Sequence, residues 1–176
     1  MNFLIKTLEK TSTKRGLLTL TALYTLVFSL IIKTLYQLTE VSGGNGILDF
    51  DRGYSRERVI EVFSSYGDTG MALYARIQAL DLVNPAIYSL LFASLTFLLW
   101  RNRKAVWVVI IPLVAGLLDY IENLTLYLLA QSYPTISADL VSISSTLSII
   151  KNVALFGAIL VLTLGVIFWL RNRFDS

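Results

Sequence analysis

The chain has 176 residues, of which 55% are hydrophobic and 15% are charged, with a mean hydropathy of +0.66 and a net charge of +3. Soluble domains carry roughly 25% charged residues, so this composition predicts an integral membrane protein. The chain has no Cys and no His, which excludes disulfides, thiol nucleophiles, Cys/His zinc sites and histidine-ligated haem.

Four apolar segments predict four membrane spans, because each has about the 20 residues needed to cross the hydrocarbon core. They cover residues 16–38, 79–100, 106–131 and 146–170. We therefore predict an all-α fold, a four-helix transmembrane bundle that forms a single domain over residues 1–176. Its main partner is the lipid bilayer. No nucleic-acid partner is predicted, since the basic residues fall at the ends of the spans and form no separate patch.

The basic residues also predict the orientation of the bundle. They flank the start of span 1, fill the loop between spans 2 and 3, and follow span 4. These residues are Lys6, Lys10, Lys14, Arg15, Arg101, Arg103, Lys104, Arg171 and Arg173. Because cytoplasmic flanks carry an excess of Lys and Arg, both termini are predicted to be cytoplasmic. Trp100, Trp107 and Trp169 mark the same interface, as an aromatic belt does.

Two short helices are predicted outside the spans. The apolar residues Leu4 and Leu8 favour an interfacial helix before span 1, with a disordered tail as the alternative. In the outer loop, residues 39–78, Ser55 is a good N-cap and Phe63 belongs to an apolar face, so a short amphipathic helix is predicted there. Gly67 is predicted to end that helix.

The same loop contains an acidic pair, Asp49 and Asp51. A divalent cation is one interpretation of this pair, and it resembles the start of an EF-hand loop. That match fails because position 5 would be Gly53 and position 6 is not glycine. We predict a plain turn here, with no metal and no cofactor.

Polar residues inside the predicted spans are the strongest indication of a site. Counted at 1.5 Å per residue from the cytoplasmic ends, they lie at similar depths of about 20–28 Å, in the outer half of the bilayer. The candidate catalytic residues are Asp81, Asp119, Glu122 and Lys151. The candidate ligand-binding residues are Asn84, Tyr88, Asn123, Lys33 and Asn152. Pro85 is expected to kink span 2 beside this layer.

Helical phase supports the convergence of these side chains. Asp119, Glu122 and Asn123 follow i, i+3, i+4 spacing and therefore share one face of span 3. Burying a carboxylate in hydrocarbon costs roughly 2.5–3.5 kcal/mol or more, so such residues mark sites by default. The alternative is structural: the charges pair to hold the helices in register.

The four-span layout with acids in the outer half resembles, in topology, the sterol-isomerase and sigma-2-receptor type of four-helix membrane protein. The histidine of the isomerases is absent here, so the resemblance implies neither site residues nor activity.

These observations lead to three functional hypotheses. The first is a pocket that binds or acts on a small or lipid-like molecule by acid–base chemistry, with Asp119 or Glu122 as proton donor, Asp81 as partner base and Lys151 as the tuning charge. The second is a proton- or ion-coupled transport or channel subunit. The third is a non-catalytic accessory subunit of a larger membrane complex, which an exposed span face rich in small residues would favour. Gly157, Ala158 and Gly165 lie on span 4 but not on one clear stripe. A homo-oligomer or a larger membrane complex is the protein partner that this hypothesis implies.

Overall fold

The computed structural model describes residues 2–51, 53–101 and 106–174. Within these residues the fold is all-helical, as predicted. The helices in chain order are α1 Asn2–Thr11, α2 Lys14–Val41, α3 Arg56–Asp81, α4 Asn84–Trp100, α5 Ile110–Ser132 and α6 Ala138–Phe174, with 3₁₀ turns at Leu48–Phe50 and Val106–Val109.

Four helical stretches of the described residues are long and apolar enough to cross a membrane, which confirms the predicted number of spans. They are Lys14–Val41, Arg56–Trp100, Val106–Ser132 and Ala138–Phe174. The last begins eight residues before the predicted start of span 4 at residue 146. The serines near its start are typical of a loop, but Val141 and Ser144 are helical and buried inside the fold. At 37 residues, α6 is about 55 Å long, well beyond the hydrocarbon core.

Local sequence signals explain the shape of α3. Its N-cap is Ser55, whose side chain accepts a hydrogen bond from the backbone N–H of Arg58 at 3.3 Å. Gly67 has a φ of 53° and a ψ of −170°, so the helix is interrupted there. Glycine adopts this left-handed φ without steric penalty. The first half of α3 buries one apolar face, which includes Val59 and Phe63.

The second predicted span contains a break at the position where the sequence predicts a proline kink. The helix α3 ends at Asp81, and α4 begins at Asn84 after Leu82 and Val83. Pro85 lies in the first turn of α4, where its missing N–H leaves no hydrogen bond unmade. The candidate span Arg56–Trp100 is therefore interrupted where Pro85 predicts it, as a break between two helices, and Asp81 stands at a helix end.

The helix α5 is packed against α4 and α6 and also contacts α3. A Cβ atom added at Gly116 would lie 2.6 Å from Ser89 Cβ and 3.0 Å from the Pro85 carbonyl oxygen. Only glycine permits this approach of α4 and α5. The close approach brings Tyr88 of α4 beside the polar face of α5.

The N-terminal helix α1 packs against the C-terminal half of α4. Leu8 is fully buried against Ala93 and Phe97. The Thr11 and Ser94 hydroxyls are 2.7 Å apart, which fixes α1 to α4. The N-terminal segment is therefore helical, as predicted, and the alternative of a disordered tail is wrong.

Candidate functional site

One buried lysine stands at the centre of the predicted polar residues. The Nζ atom of Lys151 on α6 lies 2.5 Å from Glu122 Oε2 and 3.9 Å from Asp119 Oδ1, both on α5. It also lies 3.7 Å from Asp49 Oδ1. We call these four residues the carboxylate–lysine cluster. The structure thus brings together three of the four candidate catalytic residues and adds a carboxylate that sequence reasoning missed.

The cluster is almost closed to solvent. Glu122 is 0% exposed, and Asp119 and Lys151 are each 7% exposed. In the described residues these are the only buried charged side chains by whole-residue exposure. Removing a charge from water costs several kcal/mol unless a partner compensates it, and one ammonium group compensates only one of the three carboxylates. The cluster therefore attracts protons or other positive charge.

Asp49 reaches the cluster because its neighbours anchor the loop to the bundle. Ile47 is 8% exposed and Leu48 is 1% exposed, and both belong to the main hydrophobic core. Burial raises the pKa of Asp49, while the charge of Lys151 opposes that rise. The segment does form a turn, as predicted, but the prediction missed the contact of Asp49 with Lys151. The apolar residues before Asp49, Ile47 and Leu48, were the signal that could have placed it inward.

Hydrogen bonds hold this part of the loop against α5 and α6. The backbone N–H of Tyr54 donates to Ser145 Oγ at 2.9 Å, and the Tyr54 hydroxyl lies 2.8 Å from Ser144 Oγ. Ser144 Oγ is in turn 2.8 Å from Thr125 Oγ1 on α5. Arg56 Nε donates to the Ile136 carbonyl at 2.8 Å. Asp49 is thus positioned by a fixed loop.

The remaining acid, Asp81, lies at the edge of the cluster and is half-buried. Asn84 Nδ2 donates to Asp81 Oδ1 at 3.1 Å, and Asn123 Nδ2 donates to the Asp81 carbonyl at 3.3 Å. The Tyr88 hydroxyl faces the Asp119 carboxylate but makes no hydrogen bond of normal geometry. These residues form a second polar group that adjoins the carboxylate–lysine cluster through Asp119.

Several buried polar atoms around the two groups have no hydrogen-bond partner. In the described residues they include Glu122 Oε1, Ser148 Oγ, Asn84 Oδ1, Asn123 Oδ1 and the Tyr88 hydroxyl. Each such atom costs roughly 1–3 kcal/mol of free energy. Their concentration in one region is typical of a functional site, where a ligand or ordered water satisfies them.

Two predicted ligand-binding residues lie away from the cluster. Lys33 is exposed on α2, whose buried positions are Ile31, Thr34 and Leu38. Its depth matches that of the other polar residues, but its helical phase turns it outward. Asn152 is also exposed, because successive helical residues point about 100° apart and Lys151 takes the inward position.

Two grooves lead toward the polar residues. The first, the Asp49 groove, has a volume of about 550 Å³ and lies between the loop and the outside of α6. It is lined by Asp49, Phe50, Ile149, Asn152, Val153 and Phe156. Asp49 therefore contacts Lys151 and also forms part of a groove wall.

The second groove, the α3–α5 groove, has a volume of about 540 Å³. Its lining is mostly apolar and includes Asn123. Asn123 and Asn152 thus face different grooves, so the predicted ligand-binding residues do not line a single cavity.

The chain matches no protein-family model, no curated protein and no solved structure. Over the residues that the structure describes, the fold defines an all-helical protein with four candidate membrane-spanning helices.

Proposed function

We propose that this chain is a multi-pass membrane protein that binds a small or lipid-like molecule at the carboxylate–lysine cluster and acts on it by acid–base chemistry. The observation that carries the proposal is the meeting of three carboxylates at one buried ammonium group. A pair of acids in different environments can divide the roles of proton donor and acceptor.

The distances suggest how the roles divide. Glu122 makes the closest contact with Lys151 at 2.5 Å, which favours its ionised form. Asp119 is farther from the lysine at 3.9 Å, so the ammonium group stabilises its carboxylate less and it is the better placed proton donor. Asp81 acts as the partner base, and the positive charge of Lys151 compensates part of the negative charge of the carboxylates.

The Asp49 groove provides access for a substrate of mixed polarity. Phe50, Val153 and Phe156 are 66–68% exposed and offer an apolar surface. Asp49 and Asn152 add polar groups to the same lining. A lipid-like molecule entering from the hydrocarbon would place its apolar part on Phe50, Val153 and Phe156 and its polar part toward the cluster.

Other functions receive less support. A transport path would need titratable groups on both sides of the cluster, yet the buried polar residues of α4 toward Trp100 are the hydroxyl-bearing Ser94 and Thr96. The small residues of α6 that favour a subunit interface in the sequence pack within the chain. Ala158 is fully buried, and a Cβ atom at Gly165 would lie 2.7 Å from Trp100 Nε1.

A retention experiment tests binding at the Asp49 groove. We expect a small molecule to remain with the wild-type chain through purification in mild detergent, and Val153→Trp to retain at least about tenfold less of it, because the indole would fill the groove. Native mass spectrometry measures the retained mass. The matched control is Ile159→Trp, at an exposed position of α6 outside the groove. Equal retention by both variants would contradict the proposal.

We also propose that both termini are cytoplasmic and that the loop carrying Asp49, with the first half of α3, lies on the outer side. The charge distribution supports this orientation. Because the chain has no cysteine, single cysteines report topology directly. We expect an impermeant maleimide to label Thr135→Cys in intact cells, and Arg101→Cys only after permeabilisation; both positions are exposed. The reverse pattern would overturn the orientation.

A further inference from the structure

The α3–α5 groove has the size and lining of a small-molecule site. Its volume of about 540 Å³ falls within the range of roughly 300–1,000 Å³ that is usual for ligand pockets. Ala75 and Ala79 leave room on the α3 side, and Leu124 and Tyr127 form part of the α5 side. The groove is separate from the Asp49 groove, which lies against α6.

One residue of this lining, Asn123, carries a buried polar atom that lacks a hydrogen-bond donor. Asn123 is only 5% exposed, and its Nδ2 donates to the Asp81 carbonyl at 3.3 Å. Because a carbonyl accepts and does not donate, this bond fixes which end of the amide is the nitrogen. The other end, Oδ1, is an acceptor without a partner. Leaving such an acceptor unpaired in an apolar environment costs free energy that a donor on the ligand would recover.

The donor must be carried by an uncharged ligand. No charged side chain of the described residues lines the groove, so a charged head group would have no partner there. The polar groups of the lining are amides and phenols, among them Gln78 and Gln131. A hydroxyl is a neutral donor that an apolar molecule can carry into such a site.

We propose that the α3–α5 groove binds an apolar alcohol, whose hydroxyl donates a hydrogen bond to Asn123 Oδ1. The alcohol's hydrocarbon part lies along the alanines of α3, and it enters sideways between α3 and α5. This inference goes beyond the acid–base chemistry and holds whether or not the carboxylate–lysine cluster is catalytic, because it concerns binding in a different groove.

Photo-crosslinking of the full chain in phosphatidylcholine vesicles tests the inference. The probes are hexadecanol and hexadecane, each carrying a diazirine at the end of its chain, with labelled residues located by peptide mass spectrometry. We expect hexadecanol to label the groove in a saturable way and more strongly than hexadecane. Asn123→Leu should lower the labelling by hexadecanol about 2–12-fold, the equivalent of one neutral hydrogen bond, and should leave labelling by hexadecane unchanged.

A second variant keeps the test informative if Asn123→Leu disturbs the fold. Ala79→Phe fills the groove from an exposed position and leaves the Asn123 amide intact, so it should remove labelling by both probes. Ala72→Phe, exposed on the same helix but outside the lining, should change neither. Equal labelling by alcohol and hydrocarbon would overturn the inference, as would stronger labelling by the corresponding hexadecylamine probe. Failure here would leave the retention result at the Asp49 groove unaffected.

Discussion

Replacing Lys151 with Met is expected to destabilise the protein by about 3–5 kcal/mol, the usual cost of removing one partner from a buried ion pair. The ammonium group lies within 4 Å of Glu122, Asp119 and Asp49, and Glu122 is fully buried. Methionine fills a similar volume but leaves three carboxylates without a counter-charge. The loss should shrink as the pH falls, because protonation removes the unpaired negative charges. Burial raises the pKa of Asp49, so this recovery should begin above the usual carboxyl range.

Unfolding in detergent by heat or by a denaturing detergent measures this effect, and Lys33→Met is the matched control. Lys33 is exposed on α2, so the control should change stability by less than about 0.5 kcal/mol. A Lys151→Met protein as stable as the control at neutral pH would show that the carboxylates do not depend on the lysine. The proposed role of Lys151 as the counter-charge of the carboxylate–lysine cluster would then be wrong.

Replacing Asp119 with Asn is expected to reduce activity about 10²–10⁴-fold, because an amide cannot act as a general acid. Its volume is nearly the same, and an amide escapes the desolvation cost of a buried carboxylate. The melting temperature should therefore stay unchanged or rise. Glu122→Gln differs, since it removes the closest partner of Lys151 and should lower both stability and activity.

Deuterium incorporation from solvent provides an activity assay for any lipid substrate whose reaction forms a new bond between carbon and hydrogen. Acid–base catalysis on carbon introduces solvent hydrogen into a product, so the chain is incubated with total lipid extract in heavy water. Mass spectrometry then identifies species that gain deuterium only with the wild-type protein. Asp139→Asn is the control, since Asp139 is exposed at the start of α6. Wild-type rates in Asp119→Asn would favour the structural interpretation, in which the charges only hold the helices together.

Packing in three dimensions changes the boundaries and partners of several predicted elements. The segment before residue 146 is rich in serine, which favours a loop, yet Val141 and Ser144 are buried and helical. Pro85 predicts an interruption near Leu82 and Val83, but the local pattern does not say that α3 ends at Asp81. Such features depend on neighbouring helices, which the local pattern does not contain.

The sequence by itself determined the number of candidate spans, the N-cap at Ser55, the interruption at Gly67 and the polar face of α5. Each depends on hydropathy, backbone preference or helical period, which are properties of consecutive residues. Only the tertiary structure decided that Asp49 joins Lys151 and that Lys33 does not. Depth along a helix is readable from residue counting, whereas a contact also needs the rotation of each helix and the path of each loop, and these are set by the packing of side chains distant in sequence.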